Sequence, residues 1–149
     1  MQTRLSPKQV FELCPRFLTH IPALGETPKG VAITAQLRHL VKLRASQLNH
    51  CGYCQKMHSD EARNDGEQQA RLDVLPAWRE LNCFSAEERA ALAWTEAVTC
   101  ISVQQPDDQL YKETLAVFGE QGVVELTALI IEINSWNRIA VSFGFQPEV

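Results

Sequence analysis

Between residues 34 and 58 the chain reads Thr34-Ala35-Gln36-Leu37-Arg38-His39-Leu40-Val41-Lys42-Leu43-Arg44-Ala45-Ser46-Gln47-Leu48-Asn49-His50-Cys51-Gly52-Tyr53-Cys54-Gln55-Lys56-Met57-His58. Leu37, Leu40, Val41, Leu43 and Leu48 predict the apolar face of one long helix. Asn49-His50-Cys51-Gly52 interrupts it, and a second helix is predicted from about Cys51 to Arg63, closed by Asn64-Asp65-Gly66. The same helical spacing extends outward in both directions. Upstream, Ser6-Pro7 starts a helix carrying Val10, Phe11, Cys14, Phe17 and Leu18, and Pro22, Gly25, Pro28 and Gly30 predict a loop. Downstream, Pro76 divides two short helices around Leu72 to Leu81, and Ser85 to Glu88 is a capping box opening the helix through Ile101. Pro106-Asp107-Asp108 begins a helix ending near Phe118-Gly119, and a last one runs from Val123 to about Phe143, stopped by Gly144. No stretch alternates with period two as a half-buried strand does, so the expected class is all-α.

The bulk composition narrows the function. At 149 residues the chain suits a single domain over residues 1–149. A net charge of −4, without a basic run, argues against a nucleic-acid partner. The stretch Met1 to Lys8 lacks the apolar core of a signal peptide, and Leu126 to Ile133, interrupted by Glu132, is too short to cross a bilayer. The expected setting is therefore the cytoplasm, away from membranes, where thiols stay reduced. Cys14, Cys83 and Cys100 stand singly and are expected to be packing residues.

Cys51 and Cys54 differ, because they form a Cys-x-x-Cys pair with His58 four residues on. Steps of three and four residues bring all three side chains to one face of a helix. Unpaired N–H groups at a helix start stabilise a thiolate, and an imidazole one turn along can take up or return a proton. The spacing thus supplies a nucleophile, a resolving thiol and a base. The helix-end argument favours Cys51 as nucleophile and the histidine argument favours Cys54; spacing does not decide between them. Two other readings use the same residues. One is a zinc module, in which Cys51, Cys54 and His58 give three ligands and His50 or His39 a fourth. The other is a pair of buried thiols beside a core histidine, with no chemistry.

Leu43 to Cys54 with His58 resembles the core of the alkylhydroperoxidase D-like (AhpD-like) proteins of the carboxymuconolactone decarboxylase superfamily. Leu92-Ala93-Trp94-Thr95-Glu96-Ala97-Val98-Thr99 and Asn134-Ser135-Trp136-Asn137-Arg138 resemble the family's later helices, so the likeness runs from about Thr34 to Phe143. The resemblance implies a single repeat of about six to eight helices and assembly into homo-oligomers, trimers or hexamers. It also implies an antioxidant peroxidase or disulfide reductase that needs no cofactor or metal, reduces a hydroperoxide and is recharged by an external dithiol or thioredoxin-like reductant. By resemblance, Cys54 is peroxidatic, Cys51 resolving and His58 part of a proton relay. The family's distal relay glutamate, twelve residues before the first cysteine, is here replaced by His39. A superfamily member acting on a small organic acid, with His39 and His58 as acid and base, is the alternative enzyme. Trp94, Trp136 and Asn137 are expected either at the pocket or a subunit contact, or in the core. Glu132, between isoleucines, needs a partner such as Arg44 or Arg138, and His20 and His50 are expected at the surface.

Overall fold

The computed structural model describes residues 4–149; Met1 to Thr3, at the start of the N-terminal stretch read above, lie outside the described residues. Among those described there are seven α-helices, one 3₁₀ helix and no strand: α1 (Pro7–Leu13), α2 (Arg16–Leu24), α3 (Ala35–Leu48), α4 (Gly52–Asn64), α5 (Gln69–Asp73), the 3₁₀ helix (Leu75–Glu80), α6 (Ala86–Thr99) and α7 (Asp108–Phe143). The all-α expectation holds.

Helix α3 is the axis, packed between α4, α6 and α7. Its Leu37 and Val41 join Trp94, Leu126, Leu129 and Ile130 in one buried cluster. Leu40 and Leu43 join Leu72, Leu75, Trp78, Phe84 and Leu92 in another. A helix that buries two faces must be central, and this one carries its few charges where they find partners: Arg44 Nε donates to Glu96 Oε1 at 2.8 Å. Thr34 caps its start by accepting from the Leu37 amide.

The N-terminal region departs from the sequence reading. Instead of one helix to Leu18 there are two, broken at Cys14, whose φ of −135° and ψ of 76° leave the helical region. The cause is Pro15, whose ring disfavours helical backbone in the preceding residue. The predicted loop begins three residues later than expected: Pro22 still lies inside α2, which ends at Leu24, and the chain from Gly25 to Gly30 is non-helical as predicted. No α2 residue is buried, so the backbone bond the Pro22 ring removes is open to water. The break near Gly119 is present: φ 73° and ψ 174° bend α7 there in a conformation only glycine adopts readily. By length and composition α7 would qualify as a membrane span. Its Leu126, Leu129, Ile130 and Ile133 are, however, buried against the rest of the protein.

Three cysteines were expected to be packing residues, and none is buried: Cys83 is exposed and Cys14 and Cys100 are partly so. Each lies at a helix end or in a connection, where little surface can close over a side chain.

Candidate functional site

The site begins where α3 stops. The Cys51 amide donates to the Ser46 carbonyl at 2.9 Å and the His50 amide to the Gln47 carbonyl at 3.1 Å. His50 takes φ +54°. This is a Schellman turn with a histidine in the left-handed position usually given to glycine. The turn reverses the chain so that Cys51 becomes the N-cap of α4, its Sγ accepting from the Cys54 amide at 3.2 Å. The junction is fastened to α7 by amides: Asn49 Nδ2 donates to Asn134 Oδ1 and Asn137 Oδ1, both at 2.9 Å, and Asn137 Nδ2 donates to Ser46 Oγ at 3.0 Å. Asn137, fully buried, is a structural tie, and Trp94 lies in the core.

Cys51 and Cys54 are joined as a disulfide, with their Cα atoms 5.3 Å apart. Both are buried, but they face different concavities. Cys54 and His58 line a cavity of about 300 Å³ with Phe11, Tyr53, Trp136, Ile139 and Phe145. Leu18 and Met57, exposed apolar residues on its lining, mark its mouth. Cys51 instead borders a shallow groove with Arg4, His50, Gly144 and Gln146. Edge-to-face contacts among Phe11, Trp136, Phe145 and Tyr53, with centroids 5.6 to 6.2 Å apart, stiffen the wall between α1, α4 and α7.

His58 Nδ1 lies 2.9 Å from Glu61 Oε2. A carboxylate only accepts, so Nδ1 donates, leaving Nε2 as the ring nitrogen free to exchange a proton. The His58 hydrogen bond, against the opposing pull of burial and with help from Lys42 and His39, holds the Glu61 carboxyl below its ordinary value. Glu61 did not emerge from the sequence as a site residue, although an acidic residue three positions after His58 on the same helix was the available signal.

His39 does not line the Cys54 cavity or touch His58; its Nε2 donates to Asp65 Oδ2 at 2.6 Å. Its reach to the site is electrostatic, through Glu61. Neither partner suggested for Glu132 reaches it. Arg44 is held by Glu96, and Arg138, exposed, donates to Asn134; the ion-pair partner is Lys42, at 3.5 Å. As zinc ligands the residues do not assemble: the two sulfurs are bonded to each other and His50 is exposed. Among the described residues no group of three or more His, Cys, Asp or Glu side chains is arranged to hold a metal.

Comparisons with known proteins give the family and the fold. The model of the carboxymuconolactone decarboxylase family matches residues 16–97. YdfG, an uncharacterised protein of Bacillus subtilis, is 36% identical over 134 residues, 90% of this chain and 91% of its own. ATU0492 of Agrobacterium tumefaciens, a protein of unknown function described as a candidate AhpD antioxidant-defence protein, superposes with a TM-score of 0.87 at 34% identity, covering 99% of both chains. The debrominase Bmp8 shares the fold, with a TM-score of 0.71 at 20% identity over 96% of this chain and 73% of its own. That proteins of this fold include a debrominase means the fold alone does not choose a substrate. The family match, the relatives over nearly the whole chain and the shared all-helical architecture lead to one conclusion: this chain is an AhpD-like member of the carboxymuconolactone decarboxylase family.

Proposed function

We propose that the protein is a thiol-dependent hydroperoxidase, with disulfide reductase activity through the same pair. Cys54, as thiolate, attacks the terminal oxygen of a hydroperoxide. The O–O bond breaks, the alcohol leaves with the proton that His58 delivers, and Cys54 becomes a sulfenic acid. The Cys51 thiol then attacks that sulfur, its proton leaves with the hydroxyl as water, and the Cys51–Cys54 disulfide forms. Two electrons have passed from the thiols to the peroxide. An external dithiol returns them by exchange and is itself oxidised to a disulfide.

The observation that carries this reading is the unequal placement of the two sulfurs: Cys54 shares an apolar cavity with His58, whereas Cys51 borders a separate groove. Glu61 orients His58 as a positioning residue and fills the distal role for which His39 was expected, with His39 acting through its charge. The largely apolar lining favours an organic hydroperoxide over hydrogen peroxide. The homo-oligomer implied by the family is part of the same proposal, supported by exposed Val124, Ile131 and Val141 along α7.

The test is peroxide consumption and thiol titration in Cys54→Ser and Cys51→Ser variants. Cys54→Ser should abolish turnover, and Cys51→Ser should accumulate a sulfenic acid at Cys54 that a dimedone probe captures. If both variants consume peroxide at the parental rate, the assignment fails.

A further inference from the structure

Besides Cys54 and His58, the cavity lining carries two charged side chains, Lys42 from α3 and Glu132 from α7. They are not equivalent. The Glu132 side chain is 7% exposed; its Oε1 accepts from Trp136 Nε1 at 3.3 Å, and its Oε2 is buried without a hydrogen bond. That oxygen packs against Gly25 so closely that a β-carbon there would fall 1.8 Å from it. The carboxylate therefore backs into the wall beneath α2. Lys42 Nζ stands 3.5 Å from Oε2, close enough for ion pairing but without hydrogen-bond geometry. Among the described residues the ammonium makes no hydrogen bond, and its side chain keeps 16% of its surface.

A loosely fitted, largely buried ion pair is a poor stabiliser: apolar residues of the same volume usually serve a fold as well or better. Lys42 carries three N–H donors, and neither Glu132, 3.5 Å away, nor Glu61, which feels its charge, accepts a hydrogen bond from it. Lys42 lines the cavity, and the rest of that lining is mostly apolar. Anionic or strongly accepting oxygens on a ligand would complete its hydrogen bonds in a medium where such bonds are strong. The cavity, about 300 Å³, holds roughly ten water-sized groups. That suits one aryl ring or a short branched alkyl group with a polar head.

We infer that Lys42, held in place from behind by Glu132, is a specificity-determining anchor for the carboxylate of an amphipathic organic substrate. The substrate's apolar body lies on Phe11, Trp136 and Ile139, and its hydroperoxide group reaches Cys54. The inference rests on the hydroperoxidase reading for the reacting group, but not for the anchor itself.

Two measurements separate the claims. In the first, cumene hydroperoxide and its para-carboxylated analogue are compared as substrates with a dithiol donor. The parent should favour the carboxylated compound by roughly tenfold or more in kcat/KM, mainly through KM. Lys42→Arg should keep the preference and Lys42→Met should bring the ratio near one. In the second, binding of 4-isopropylbenzoate to the oxidised protein is followed by calorimetry, without turnover. Glu132→Gln, which removes the competing charge, should tighten binding, and Lys42→Met should abolish it. Because Lys42→Met strands the buried carboxylate, the isosteric double variant Lys42→Met/Glu132→Gln is the folding control. Loss of binding in that folded variant supports the anchor; retained binding overturns it. A parent that binds the carboxylate no better than neutral 4-isopropylbenzamide also overturns it. If the parent binds the carboxylate through Lys42 but reduces neither hydroperoxide, the anchor stands and the peroxidase reading falls.

Discussion

Replacing Glu61 tests whether the His58 hydrogen bond serves catalysis. In the parent a carboxylate accepts from His58 Nδ1 at 2.9 Å. Glu61→Gln keeps an acceptor of the same shape and removes the charge. A hydrogen bond to a charged group contributes about 1.5–3 kcal/mol and a neutral one about 0.5–1.5 kcal/mol, so the difference is roughly 1–1.5 kcal/mol. The Glu61 side chain is 46% exposed, so solvent screens part of that difference. About 1 kcal/mol or less remains, near fivefold in rate. Glu61→Ala removes the acceptor and the ring's orientation together, and a loss of roughly ten- to thirtyfold is expected.

The assay is the rate at which free thiols at Cys51 and Cys54 disappear after a pulse of organic hydroperoxide, followed from neutral pH downward. His58 holds the Glu61 carboxyl below its ordinary value of 4.5, so the charge persists to that point and beyond. A depressed carboxyl contributes above its unperturbed value and loses its contribution as the pH falls through its own, lower one. The parent-to-Gln rate ratio should therefore be flat at higher pH and decline toward one only below about 4.5. Parental rates in both variants across that range would refute the argument. A loss matched by equal unfolding would refute it as well.

Further expectations concern the scaffold. Glu96 accepts from Arg44 and Trp78, each at 2.8 Å, and from Arg79; Glu96→Ala should lower stability by about 3–5 kcal/mol in urea denaturation, because Arg44 is left charged and largely buried. Burial would raise the Glu96 carboxyl, but donation from Arg79, Trp78 and Arg44 outweighs it and leaves it below 4.5; the parent's advantage over Glu96→Gln should therefore shrink only as the pH falls below that value. Asn137→Leu strands Asn49 and Ser46 of the amide tie, and a loss of about 2–4 kcal/mol is expected in thermal unfolding, with the variant's amide exchange rising first around His50 and Cys51. Gly25→Ala drives a methyl group into Glu132, and a destabilisation of about 1–3 kcal/mol should be partly relieved by adding Glu132→Ala.

The helices of the core were legible because their signals are local. Thr34 and Ser85 accept from the amides three residues on, as their positions before apolar periodic runs predict. The break at Gly119 was visible in the same way. Pro15 carried the information for the division of α1 from α2, but the apolar spacing from Val10 to Leu18 continued across it and outweighed the proline in the sequence reading. At the site, helical spacing was enough to group Cys51, Cys54 and His58. It could not say which sulfur faces which concavity, because that depends on α1, α2 and α7 closing over one side of α4. The partner of Glu132 was misjudged for a related reason. Arginines were the strong candidates by charge, yet Arg44 faces Glu96 and Arg138 faces out, and only the packing of α3 on α7 brings Lys42 within reach. Glu61 is the exception: its position one turn from His58 on the same helix is readable in the sequence.

The Cys51–Cys54 bond closes a ring of only four residues, with the two Cα atoms 5.3 Å apart. The amide tie at Asn137 and the turn at His50 hold the junction through bonds that involve neither sulfur. Closing so small a ring removes little entropy from the unfolded chain, so the bond is expected to add only about 2 kcal/mol of stability, read from thermal unfolding with and without a reductant. On the proposed function, a reductant therefore has to reach the sulfurs themselves, because the ties around them do not depend on the bond between them.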